Sequence, residues 1–224
     1  MTDDPLFTAA TWIIPLVFAI VLHEISHGWV ALALGDTTAR DRGRLTPNPI
    51  RHTDPIGTVA LPLILAVTGA PIFGWAKPVP VNARKLRKPR TDMMVVALAG
   101  PAMNLILALV AATLLTLLRS TIVAGGPVLQ FVGFNLLHFV WINVFLALFN
   151  LLPLPPFDGG HVVQGLLPLR LARRYARLNR IAFPLLIVLL LVLPMISERL
   201  NIVRYVIFPP AQWLMQLLLP GVRG

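Results

Sequence analysis

The chain has 224 residues, of which 57% are hydrophobic and 12% charged, with a formal net charge of +10 and no cysteine. At a mean hydropathy of +0.79, this is a membrane composition that leaves little room for a separate soluble domain. It excludes disulfides and thiolate metal ligands. It also argues against nucleic acid as a partner, because Lys and Arg gather in the cytoplasmic loops of membrane proteins and nothing aromatic interleaves the basic runs.

The N-terminus, Met1-Thr2-Asp3-Asp4, is acidic and lacks the basic region of a cleaved signal peptide. The first apolar stretch, residues 9–34, is therefore expected to remain as a span, since about 20 residues cross about 30 Å of hydrocarbon. Inside it lies His23-Glu24-Ile25-Ser26-His27. Side chains four apart on a helix share one face, so His23 and His27 can reach one metal ion with Glu24 beside them. H-E-x-x-H on a helix is the zinc metalloprotease pattern: two imidazole ligands and a carboxylate that works on water at the metal. The pattern alone recurs by chance. At membrane depth, however, each ionisable residue costs roughly 2.5–3.5 kcal/mol on insertion scales and marks a function, which puts the metal reading ahead.

Gly35-Asp36 ends this helix, and the loop to Gly57 carries Arg40, Arg42, Arg44 and Arg51. Residues 58–73 are apolar but short and interrupted by Pro62, Gly69 and Pro71; the loop beyond carries Arg84, Lys85, Arg87, Lys88 and Arg90. A full span at 58–73 would place two basic loops on opposite sides. A re-entrant segment keeps both in the cytoplasm and satisfies the positive-inside rule, with the N-terminus outside and the histidines in the middle-to-cytoplasmic part of their helix.

A second span is expected at 93–118 and a third at 128–152, with weaker candidates at 181–196 and at 202–219, the latter broken by Pro209 and Pro210. Asn104, an amide inside the second span just after Gly100-Pro101, admits two readings of equal weight. It is interhelical glue or a hydrogen-bond donor to substrate or oxyanion. The third span runs into Pro153-Leu154-Pro155-Pro156-Phe157-Asp158-Gly159-Gly160-His161. Of nine acidic residues, only Glu24 and Asp158 lie within or against the long apolar segments. A zinc site with two His needs a third protein ligand and an open position, for which Asp158 leads; the competing reading is an Asp that caps a Gly-Gly turn. His161 is a spare candidate, His52 a loop residue, and His138 is expected to be satisfied by a neighbouring carbonyl.

Taken together and in this order, His23 to His27, residues 73–82, Gly100-Pro101-Ala102-Met103-Asn104 and residues 150–160 resemble the site-2 protease family of intramembrane zinc metalloproteases, in its compact bacterial form without PDZ or CBS domain. The resemblance covers about two-thirds of the chain. It implies one Zn2+ per chain held by His23, His27 and Asp158, Glu24 as catalytic carboxylate, and assistance from Asn104 and Asn150. It implies a three-span catalytic core that cleaves transmembrane protein substrates, in a multi-pass protein of the bacterial inner membrane whose other contact is lipid.

The expected fold is thus an all-α polytopic membrane protein. It forms one domain over residues 1–224, with a catalytic core at 9–160 and a helical extension at 161–224. The core contains the re-entrant segment, and one or two apolar helices follow it. Residues 79–82, extended and proline-restricted, are expected to offer an edge to an unwound substrate. The rival class is a non-proteolytic zinc-binding membrane protein or an ion transporter. Transporters favour inverted repeats, and none is visible here. Composition does not set the oligomeric state.

Overall fold

The computed structural model describes residues 5–60 and 76–220; most of the segment read as re-entrant lies outside the described residues. Within them the protein is all-helical, with no strand. Four helices are long and apolar enough to cross a membrane: α1 (Pro5–Ala33), α2 (Pro89–Leu117), α3 (Pro127–Asn150) and the segment Leu169–Ile196. The last is longer than the apolar run alone suggested, because the helix begins within the Arg170–Arg180 basic region.

The bundle is organised by spacing. On α1 the residues Thr11, Pro15, Ala19, His23, His27 and Ala31 are all buried, each four after the last. On α2 the buried series Asp92, Val96, Gly100, Asn104, Ala108 and Ala112 has the same period. Residues four apart form one ridge along a helix. Both ridges are built largely from small side chains, which let membrane helices approach closely where no hydrophobic effect drives them together. Helices α1, α2 and α3 pack mutually, and the outward residues Ile13, Phe18, Ile106, Leu109 and Val110 stay exposed, as a lipid-facing surface requires.

Helix ends follow local chemistry. Pro89 and Pro127 open α2 and α3, where a missing N–H removes no intrahelical bond. The Asp92 carboxylate accepts from Lys88 N at 2.7 Å. Pro209 and Pro210 do not break the C-terminal apolar stretch as expected, because they fall in the first turn of α5 (Phe208–Leu218). Helix α5 then packs Ala211, Met215 and the following Leu219 against Ala108, Ala112 and Val140.

After α3 the prolines at 153, 155 and 156 interrupt the helix, and the chain turns back into the short helix α4 (Asp158–Leu166), which packs on α2. A Cβ at Gly159 would overlap the carbonyl oxygens of Leu151 and Leu152. Only glycine lets this turn close, and the turn is what swings Asp158 inward.

Beyond α1, Asp36 ties two loops together. It is fully buried and accepts from Thr38 N at 3.0 Å, Thr38 Oγ1 at 2.5 Å and Asn82 N at 2.5 Å. Burial pushes its carboxyl up, but the hydrogen bonds from Thr38 and Asn82 outweigh this and hold it below the ordinary 3.8. A carboxyl lowered in the folded state stabilises above its unfolded pKa, and that contribution is lost as pH falls through the folded one. Asp36→Ala is expected to destabilise the detergent-solubilised protein by about 1–3 kcal/mol at neutral pH. The difference from wild type should shrink below pH 3.8, as read from paired melting curves; a constant difference would refute the account.

Candidate metal centre

His23 and His27 stand on the inner ridge of α1, both buried, and face Gly100 on α2. A Cβ at Gly100 would lie within 2.6 Å of the Nε2 atoms of both rings, so the absence of a side chain is what makes room for the imidazoles. Asp158, first residue of α4, completes the group. His23 Nε2 lies 3.1 Å from His27 Nε2, and Asp158 Oδ2 lies 3.2 Å from the first and 3.4 Å from the second. Among the described residues these three form the one cluster of His, Asp or Glu groups able to share a metal ion.

Hydrogen bonds decide which ring nitrogens point inward. His27 Nδ1 lies 2.7 Å from the Val96 carbonyl, which can only accept, so Nδ1 carries the proton. For His23 two side-chain amides set the orientation. Asn143 Nδ2 donates to the Phe139 carbonyl at 2.8 Å, so its Oδ1 accepts from Asn104 Nδ2 at 2.7 Å. Asn104 Oδ1 is thereby turned toward His23 Nδ1, 2.5 Å away, and accepts its proton. With Nδ1 as the donor, a ring in its neutral form aims a bare Nε2 lone pair at the Asp158 carboxylate, whose Oδ2 is buried with only the two imidazoles beside it.

Three acceptors converging with no donor between them repel unless a cation sits among them. Zinc ligands at about 2.0–2.2 Å in a tetrahedral arrangement are about 3.3–3.6 Å apart, close to the three separations found. A nitrogen–nitrogen–oxygen set without sulfur suits zinc, and it supplies three protein ligands with one position left open. The residues present fit the ion.

Glu24 lies one position along α1 and outside the ligand cluster. Its Oε2 accepts from Val79 N at 2.8 Å, so the carboxylate is held by the extended segment 76–82 rather than by the ligands. That segment forms no ladder. Its anchors are Lys77 N to the His52 carbonyl at 2.9 Å, Arg44 Nη2 to the Lys77 carbonyl at 2.7 Å, and Asn82 N to Asp36.

The other candidates lie outside the three-residue cluster. Asn104 is fully buried, and its Nδ2 donates to Asn143 and, at 3.4 Å, to the Ala19 carbonyl. Its amide hydrogens thus face Asn143 and the Ala19 carbonyl, and its Oδ1 faces His23. Asn150 donates to the Leu146 carbonyl of its own helix. His161 on α4 is not among the converging atoms, His52 bonds the Thr46 carbonyl from a loop, and His138 meets the Thr11 carbonyl while stacking on Trp12. Asn143 was not singled out in the sequence. The available signal was an amide inside an apolar span, which demands a partner.

The profile of Peptidase family M50 matches residues 11–131 and 121–193. Among curated proteins, the chain is 43% identical over 168 residues to "Putative zinc metalloprotease YwhC" of Bacillus subtilis (strain 168), covering 73% of this chain and 72% of the relative. It is 32% identical over 187 residues to "Putative zinc metalloprotease Rip2" of Mycolicibacterium smegmatis, covering 81% and 66%. No solved structure matches.

Residues that orient a metal-bound His through its far nitrogen support metal affinity by about 10- to 100-fold. Asn104→Ala is expected to weaken zinc by that factor in a chelator-competition titration, and Asn143→Ala to weaken it less, in the same direction. Gly100→Ala should abolish stoichiometric zinc. Wild-type affinity in Asn104→Ala would refute the orienting role.

Proposed function

The chain belongs to peptidase family M50, the site-2 proteases, and on that premise we propose that it is an intramembrane zinc metalloprotease with His23, His27 and Asp158 as ligands and Glu24 as catalytic carboxylate. The observation that carries the ligand assignment is the convergence of two lone pairs and an unpartnered carboxylate oxygen within 3.4 Å.

Bound there, zinc supplies Lewis acidity toward a peptide carbonyl and a water molecule. The chain's own residues do the rest. Glu24 takes a proton from the attacking water and returns it to the leaving amine. Asn104 and the Val96 carbonyl hold each imidazole in the tautomer that leaves Nε2 unprotonated. Asp158 balances the cation's charge in surroundings where an unpaired ion is expensive. Val79 N–H holds Glu24 toward the extended segment. That segment, next to the catalytic carboxylate, is where an unwound substrate strand would be read.

The depth of the site is consistent with hydrolysis. Trp12 and Trp29 are both about half exposed on α1 and lie about 25 Å apart along the axis, the spacing of two interfacial aromatic positions. His27 lies about 3 Å and His23 about 9 Å inside the Trp29 level, shallow enough for water to reach. The Trp29 end leads into the Arg40–Arg51 loop, so the positive-inside rule puts this end in the cytoplasm and the N-terminus outside. The reading is therefore a multi-pass protein of the bacterial inner membrane. One domain covers residues 1–224, with its catalytic core at 9–160, and its substrates are transmembrane proteins.

Purified protein is expected to bind about one zinc per chain and to cleave model transmembrane helices. Chelation should abolish cleavage and zinc restore it. Asp158→Asn should lose both metal and activity. Glu24→Gln should keep the metal and lose about 10²–10⁴-fold in rate. Full turnover by a zinc-loaded Glu24→Gln protein would overturn its role, and zinc transport into vesicles without cleavage would favour a carrier.

A further inference from the structure

A second polar site lies on the α1 side of the extended segment. Arg42, Arg44, Arg51 and Lys77, with Ile50 and Pro80, line a cavity of about 460 Å³, within the 300–1,000 Å³ usual for small-ligand pockets. No carboxylate lines it. Among the described residues none of the four cations is in an ion pair. Of the nearby acidic groups, Asp36 bonds Thr38 and Asn82, Asp41 bonds Arg40 and Thr37, and Asp54 bonds Ile56 N, while Glu24 accepts from Val79 N and also acts through its charge on Arg44.

Arg44 is the telling member. It is only 8% exposed; Nη2 donates to the Lys77 and Pro78 carbonyls, yet Nε is buried with no partner at all. A buried guanidinium N–H left unmatched is destabilising and calls for an acceptor. Four converging cations around one orphaned donor call for an anion with several oxygens, and guanidinium groups match phosphate oxygens pairwise.

We propose that this cavity binds the phosphate of an anionic phospholipid headgroup. This rests on the membrane orientation given above. Helix α1, at 29 residues, is about 43 Å long against a hydrocarbon core of about 30 Å, so the loop after it runs at headgroup level. Ile50, in the cavity wall, is 77% exposed. Apolar side chains standing beside a phosphate site fit acyl chains and serve no purpose for a free anion. Occupancy ties Arg44 and Lys77 together, bracing the segment whose Val79 N–H holds Glu24. The catalytic carboxylate is thus positioned from a site that reads the lipid.

The test is a lipid-binding measurement on the full chain, independent of peptidase activity. Delipidated protein is titrated with phosphatidylglycerol and with phosphatidylcholine. Wild type should prefer phosphatidylglycerol, and each cavity cation removed should cut that preference by about fivefold. Arg42→Gln/Arg51→Gln, both exposed residues, should lose the preference with zinc content unchanged. Arg170→Gln/Arg173→Gln removes equal charge elsewhere and should retain it. Equal loss in both pairs would overturn the proposal in favour of a diffuse basic surface. Displacement of the lipid by excess inorganic phosphate alone would overturn the choice of a lipid ligand.

Discussion

Two imidazole lone pairs and one carboxylate oxygen face one another at 3.1–3.4 Å between packed helices, and the rest of the bundle is arranged to sustain that unfavourable convergence. Without a cation it would relax by rotating a ring or withdrawing the carboxylate. The Val96 carbonyl and the Asn104–Asn143 pair block ring rotation. The closed Gly159 turn blocks withdrawal. Metal affinity in such a site comes from the scaffold as much as from the ligands.

The membrane sharpens each of these requirements. In hydrocarbon every amide and carbonyl must find a partner inside the protein, so Asn104 and Asn143 cannot be idle. They form a relay from the Phe139 carbonyl to His23 across three helices. Small residues at four-residue spacing on α1 and α2 bring the helices close enough for that relay to be direct. The close approach, the orienting bonds and the room for the imidazoles thus have one cause.

Catalytic placement has a different source. Glu24 is not oriented by the bundle but by a backbone N–H from the extended segment, which is held by Arg44, Asp36 and the His52 carbonyl. His23, His27 and Asp158 belong to helices, whereas Glu24, the proposed proton-transfer group, is bonded by a segment outside them. Metal binding and turnover can therefore respond separately to what touches that loop.

The sequence by itself determined the chemistry. His23 and His27 share a helix face because of their four-residue spacing, and Glu24 lies inside the same apolar run. Period and length were enough, because both are local properties. The ligand geometry, the ring tautomers and the part played by Asn104 were decided by tertiary structure alone. They depend on which groups from α2 and α3 stand opposite α1, and apolar spacing leaves the rotation of one helix against another open. Asn143 and the unpartnered Nε of Arg44 were hidden for the same reason: a polar residue's role is set by what it faces. The two prolines of α5 show the limit from the other side, since the same residue breaks a helix or begins one according to where the turn starts.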